Sequence, residues 1–266
     1  MLENFSGRTR VYFEIGDPIE QVKAPNLMTR HFHEHGHDVI VVPIRVPSPN
    51  VGSFLKAAAD CPNVDGIVVT VPHKMESSKH CSTLTASAAL LGSVCVMRKS
   101  KSGGWHGEMF DGVGHVDGMV RRGAKLAGAR SLLVGAGGAG SAIALALLDA
   151  GVSELAIHDQ DPQRVKTLID RLSGKYPGKM RVGSPDPTGF DTVTNATPAG
   201  MSGDPVIPVD ATKLKKNMFV SDVVSMPAQT PLLKAAAEIG CSFSPGIDMF
   251  NEELAMITKF FFEERK

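Results

Sequence analysis

The chain has 266 residues, 42% of them hydrophobic and 21% charged, with 28 basic residues balancing 28 acidic ones. That composition rules against a disordered or fibrous chain, and the length favours two domains. Zero net charge leaves no electrostatic footprint for a polyanion, so nucleic acid is not expected as a partner.

No hydrophobic run approaches the roughly 18 residues of a membrane span. The opening MLENFSGRTR is polar and lacks a signal core. Cys61, Cys81, Cys95 and Cys241 form no C-x-x-C pair and are too sparse for a disulfide framework, which suits a reducing compartment. A cytoplasmic protein with no membrane partner is expected.

In chain order, short β-rich runs alternate with helical patterns: VYFEI before PNLMTRHFHEHG, VIVV before VGSFLKAAAD, and GIVVTV before the segment after Lys74. This is the mark of βαβ units and a mainly parallel sheet. The stretch RKSKSGGWHGEMFDGVG is rich in Gly, Ser and charge, and regular structure is expected to lapse there. From Ser131 the alternation restarts as SLLVGAGGAGSAIALALLDAG, ELAIHD with PQRVKTLIDRL, FDTVTNAT, and MFVSDVV with TPLLKAAAEIG. Two series predict two α/β domains. The tail DMFNEELAMITKFFFEERK has helical periodicity and closes the chain, though composition does not say which domain it packs on.

Gly135, Gly137 and Gly140 fall in G-x-G-x-x-G spacing after a strand and at the start of a helix, with Ala136, Gly138 and Ala139 completing the loop. Gly135 permits the turn, Gly137 lets a pyrophosphate approach the backbone, and Gly140 lets the helix pack on its strand. The helix amino end then offers free N–H groups and a positive dipole to phosphates. Asp159 ends the next strand nineteen residues past Gly140, close to the offset of about 20 at which an acidic residue meets the adenosine ribose. A carboxylate there favours NAD over NADP. Two alternatives stay open: Asp159 opens the turn HDQDP, or Arg164 serves a 2′-phosphate.

The run VVTVPHK raises a separate question, because a buried strand ends in Pro72, His73 and Lys74. Lys74 could simply be a solvated charge opening the next helix. Together with GDPI at 16–19, FDGVG at 110–114, GAGGAG at 135–140, NATPAGM at 195–201, DVVSMPAQTPLL at 222–233 and GIDMF at 246–250, however, this run resembles the shikimate/quinate dehydrogenase family, in order and over nearly the whole chain. The resemblance implies an N-terminal substrate domain (1–110 plus 245–266) and a Rossmann-type dinucleotide-binding domain (111–244) separated by a cleft that holds the active site.

It implies Lys74 as the catalytic lysine, Asp111 as its partner and Thr70 as a substrate contact. Gly246 and Met249, with Val223, would line the nicotinamide, and Thr197 would meet the cofactor. Alcohol oxidation independently needs a base near the hydroxyl and a hydride acceptor near the carbinol carbon. A partly desolvated lysine can lower its pKa toward operating pH or stay charged and stabilise developing alkoxide. Asp111 could equally cap the helix GVGHVDGMVRRG.

The resemblance also exposes departures. Where the family carries two carboxylate-binding serines, the chain reads VKAP, placing Val22 and Ala24 there. Val68 replaces an asparagine, Cys95 and Val96 replace Asn-Thr, Met109 and Phe110 replace another Asn-Thr, Ser225 stands at a frequent tyrosine, and Glu253 stands at a glutamine. Val22, Ala24, Cys95 and Glu253 are therefore expected to line an altered substrate pocket. The expected enzyme is an NAD(P)-dependent alcohol dehydrogenase acting on a small hydroxylated substrate other than shikimate, with a homodimer as the candidate assembly. The alternatives are a true shikimate or quinate enzyme with a rearranged anchor, for which Lys23 is the candidate, and a nucleotide-binding regulator without catalysis.

The cluster His31, His33, His35 and His37 is not expected to hold a metal, since on a helix only His31 and His35 share a face. His73 could touch substrate or simply pack beside Lys74. Trp105 and Phe260, Phe261 and Phe262 are expected to seal a core or an oligomer contact.

Overall fold

The computed structural model describes residues 5–20, 22–101 and 103–263. Two compact units emerge, Met1–Phe110 with Leu254–Lys266, and Asp111–Glu253.

The first unit contains β1 (Arg10–Gly16), α1 (Ala24–Glu34), β2 (Val39–Arg45), α2 (Val51–Asp60), β3 (Val64–Val69), α3 (Lys74–Ser78), β4 (Cys81–Leu84), α4 (Ala86–Leu91), β5 (Val96–Lys99) and β6 (Trp105–Glu108). Its six-stranded sheet runs β2-β1-β3-β5-β6-β4. β1 is parallel to β2 and β3, but β5 is antiparallel to both β3 and β6. β4 is parallel to β6, so the sheet is mixed, parallel at three of its five pairings and antiparallel at the two made by β5.

The lapse expected in RKSKSGGWHGEMFDGVG is corrected, because the stretch builds a β5–β6 hairpin. The amide of Ser100 donates to the Gly104 carbonyl, and Gly103 and Gly104 take positive φ, closing the turn. Trp105, 2% exposed, donates through Nε1 to the Leu55 carbonyl at 2.9 Å and fixes the hairpin on α2. A turn-rich composition concealed two short strands whose inward residues are buried.

The second unit contains α5 (Asp111–Arg121), β7 (Arg130–Val134), α6 (Gly138–Asp149), β8 (Glu154–His158), α7 (Pro162–Ser173), β9 (Met180–Val182), β10 (Thr192–Asn195), β11 (Phe219–Asp222), α8 (Pro231–Ile239) and β12 (Ser242–Ser244). Its sheet runs β12-β11-β10-β7-β8-β9, parallel throughout. Counted within the unit this is the 3-2-1-4-5-6 order of a dinucleotide fold, with the switch point beside β7. Helix boundaries follow local chemistry. Asp161 caps α7 by accepting from the Gln163 amide at 2.9 Å, ahead of Pro162. Thr230 caps α8 ahead of Pro231, and Gly240 ends it with φ 88°.

The closing helix α9 (Gly246–Thr258) is shared. The sequence placed residues from 245 onward with the first domain, whereas residues to Glu253 belong to the second unit. The cause is local: Gly114 and Gly118 of α5 admit Met249, Glu253 and Asp248 against the backbone, and Arg122 pairs with Asp248 at 2.8 Å. Beyond α9, Phe260 and Phe261 are buried in the first unit, with Phe261 4.7 Å from the Tyr12 ring centroid. Burying each such ring contributes about 1.5–3 kcal/mol.

Candidate active site

The glycine loop occupies the turn from β7 into α6. Gly135 has φ 108°, and an added Cβ would lie 2.8 Å from Ala196. A Cβ on Gly140 would overlap the Gly135 carbonyl oxygen. At Gly137 nothing lies within 4 Å of an added Cβ, so the backbone edge there is open. These are the three requirements of a pyrophosphate cradle: a tight turn, close helix–strand packing, and an approachable backbone ahead of a helix amino end. Ala136, buried between them, donates its amide to Asp159 Oδ2 at 2.7 Å. Asp159 Oδ1 also accepts from the Asp161 amide at 2.9 Å. The carboxylate therefore opens the turn after β8, as one reading of the sequence had it, and braces the glycine loop at the same time. Arg164 sits beside Asp161 at 3.5 Å.

A buried polar chain holds the neighbouring loop. Thr197 donates through its amide (2.9 Å) and hydroxyl (2.7 Å) to Asn195 Oδ1, and Asn195 Nδ2 donates to Asp222 Oδ1 at 3.0 Å. Asp222 also accepts from the Val224 amide and the Thr230 hydroxyl. Burial pushes the Asp222 carboxyl up to about 6 against these bonds. The Cγ2 of Thr197 lies 2.9 Å from an added Cβ at Gly135, so this loop abuts the glycine turn. Asn195, Asp222 and Thr230 were not read as site residues from sequence, although all three sit in the quoted motifs.

Val223 and Gly246 are adjacent: the Val223 carbonyl fills the space a Gly246 side chain would need. Met249 follows one turn later on α9. Asp111 is the first residue of α5 and 1% exposed, within the helix's first turn. A Cβ on Gly112 would overlap the Ala142 carbonyl, so α5 crosses α6 at backbone contact, which fixes where Asp111 stands.

In the first unit, Lys74 begins α3, one tight turn past β3. The Thr70 amide donates to Ile15 at 2.9 Å, the Asp17 amide to Val71 at 3.0 Å, and the Val94 amide to the Lys74 carbonyl at 3.0 Å. GDPI and VTVPHK are thus one packed pair of loops. His73, 1% exposed, donates through Nε2 to the Val46 carbonyl at 2.7 Å, which assigns it a packing role.

Glu14 on β1 is a group the sequence reading passed over. It is 4% exposed, and burial pushes its carboxyl up to about 7 while the Lys74 ammonium pulls it down.

The remaining candidates are placed as follows. Val22 borders a groove between α1 and β2, and Ala24 starts α1. Cys95, 4% exposed, accepts the Phe110 amide on Sγ at 3.0 Å. Glu253 is 6% exposed, with its Cγ against Gly114. The histidines are engaged elsewhere: His33 Nε2 with the Val39 carbonyl at 2.7 Å, His31 with Thr258, and His37 stacked on Phe262 at 3.7 Å. No helix among the described residues is long and apolar enough to cross a membrane.

A parallel 3-2-1-4-5-6 sheet with this glycine loop defines a dinucleotide-binding unit. Residues 15–97 match the shikimate dehydrogenase substrate binding domain. The chain is 32% identical over 247 residues to a shikimate dehydrogenase (NADP(+)) of Rubrobacter xylanophilus, covering 90% of this chain and 86% of the relative. Among solved structures, it is similar to the quinate dehydrogenase of Corynebacterium glutamicum in complex with NAD (27% identity, TM-score 0.84, 96% of this chain and 94% of the other). It is also similar to the ligand-free 5-ketofructose reductase of Gluconobacter sp. strain CHM43 (27%, TM-score 0.82, 97% and 94%). The chain belongs to the shikimate/quinate dehydrogenase family, NAD(P)-dependent oxidoreductases acting on CH–OH groups.

Proposed function

We propose that this chain reversibly oxidises a secondary alcohol on a small, neutral, polyhydroxylated cyclic substrate, not shikimate itself, with NAD preferred over NADP. The observation that carries this reading is the loss of the two carboxylate-binding serines at Val22 and Ala24, together with the loss of further amide and hydroxyl groups at Val68, Cys95, Val96, Met109 and Phe110. A hydrogen bond to a charged group contributes about 1.5–3 kcal/mol, so two lost serine bonds weaken a carboxylate substrate by about a hundredfold or more. The similarity to a protein named for reducing a neutral ketosugar supports the same direction.

Bound nicotinamide supplies the hydride acceptor. Lys74 takes the hydroxyl proton or holds the developing alkoxide through its ammonium, and Asp111 orients that lysine and bonds the same hydroxyl. Thr70 contacts substrate, while Val223, Gly246 and Met249 line the nicotinamide and Thr197 and residues 135–140 hold the rest of the dinucleotide. Asp159 repels a 2′-phosphate.

The test is a panel of neutral cyclic polyols and keto-sugars beside shikimate and quinate, followed by nicotinamide absorbance. The reading expects kcat/KM on the best neutral compound to exceed that on shikimate by at least about a hundredfold. Shikimate as the best substrate would overturn it.

A further inference from the structure

β1 reads RVYFEIG, and its fifth residue is a carboxylic acid inside a hydrophobic strand. Glu14 is 4% exposed, and its Oε2 accepts from no donor among the described residues. Its register partners are Pro43 on β2 and Val68 on β3, and Val68 pairs with Val96 on β5. Laterally paired residues share a sheet face, so this row offers Glu14 hydrophobic neighbours and no side-chain donor. The next residue, Ile15, accepts the Thr70 amide at 2.9 Å, so Glu14 stands near the end of β1 that meets the turn leading to Lys74, whose charge acts on it.

A buried carboxylate with an unfilled acceptor is costly to keep. A fold that keeps one near the turn that carries Lys74 is explained when an incoming hydroxyl completes it.

We infer that Glu14 is a specificity-determining residue of the substrate site, a hydrogen-bond acceptor beside Lys74 that admits neutral polyhydroxylated alcohols and turns away substrates carrying a carboxylate. This rests on the reading of Lys74 as the substrate-facing lysine. A substrate hydroxyl donates to Oε2 and meets its missing bond. A substrate carboxylate brings a second negative charge to the buried Glu14, where the side chains of Val68 and Val96 can donate nothing, and like charges there repel. The pocket therefore selects by repulsion as well as by lost attraction.

The test uses the full chain saturated with oxidised dinucleotide, at pH 8.5, where a carboxyl of pKa about 7 is ionised. Wild type and Glu14→Gln are titrated with shikimate and with shikimamide, its neutral amide. Glu14→Gln should improve the Kd for shikimate relative to that for shikimamide by at least about tenfold, or about 1.4 kcal/mol. Any smaller change in that ratio overturns the inference. Glu14→Leu, which also removes the charge, must move the ratio the same way and guards against a local rearrangement peculiar to Gln. The wild-type turnover of shikimate, measured separately, tests the proposed substrate class, so the two failures are distinguishable.

Discussion

The Ala136 amide donates to Asp159 Oδ2 at 2.7 Å, tying the carboxylate just past β8 to the glycine loop just past β7. A residue singled out for the ribose is thus also a brace of the cradle that would receive the pyrophosphate.

Asp159→Ala removes both contributions, and they separate by measurement. Loosening the loop weakens NAD and NADP alike, by about tenfold for a charge-assisted bond. Losing the repulsion of a 2′-phosphate changes their ratio. Steady-state kinetics with each cofactor should show kcat/KM for NADP relative to NAD rising at least about tenfold. An unchanged ratio would mean the ribose contact lies elsewhere.

Gly137 and Gly140 should respond oppositely to the same change. Gly140→Ala forces a methyl onto the Gly135 carbonyl and should lower Tm by several degrees through overpacking, an effect of about 1–3 kcal/mol. Gly137→Ala meets no protein atom within 4 Å and keeps φ −78°, so its Tm should match wild type. Its dinucleotide affinity should fall at least about tenfold because the methyl occupies the phosphate's approach. Thermal melts and cofactor titration of the two variants check this.

His115 makes the fold sensitive to acid. It is 2% exposed and hydrogen-bonds Ser221 Oγ at 3.0 Å. Burial pushes its imidazole down to about 4, opposed by Asp111 and Asp248. A base whose pKa is depressed on folding contributes stability present above its unfolded value of 6.5 and lost as pH falls toward 4. The loss should approach about 3 kcal/mol, visible as a falling urea midpoint, and His115→Gln should flatten the profile across that window.

Glu14 has the opposite sign. Its carboxyl is raised on folding from 4.5 to about 7, so its contribution is fully present below pH 4.5 and is lost as pH rises through 7. Glu14→Gln should gain on wild type by about 3 kcal/mol between pH 4.5 and 8.5. Urea unfolding at the two pH values reads this directly, and a constant difference would contradict it.

Much of this was legible in sequence because it lives on local patterns. The glycine spacing, the strand before it and Asp159 after it specify a βαβ turn, and TPLLKAAAEIG carries the helical pattern of α8. What escaped depends on contacts between distant segments. The β5–β6 hairpin hides in glycine and charge because four-residue strands have little periodicity, and its anchor, Trp105 to Leu55, joins residues fifty positions apart. The Thr197–Asn195–Asp222–Thr230 chain could be read as motifs but not as one hydrogen-bonded network. Glu14 is a single polar letter in a strand, and nothing in the pattern says that its side chain is buried. The division of α9 is set by Gly114 and Gly118, which look like any helix glycines until Met249 and Asp248 are seen against them.

The central claim is that Lys74 handles the proton of the reacting hydroxyl. The direct measurement is turnover of Lys74→Ala on the best substrate from the panel, beside its dinucleotide Kd. Turnover should fall at least about a hundredfold, as for the loss of a general acid–base, with the Kd within about threefold of wild type. A variant that turns over like wild type would contradict the account.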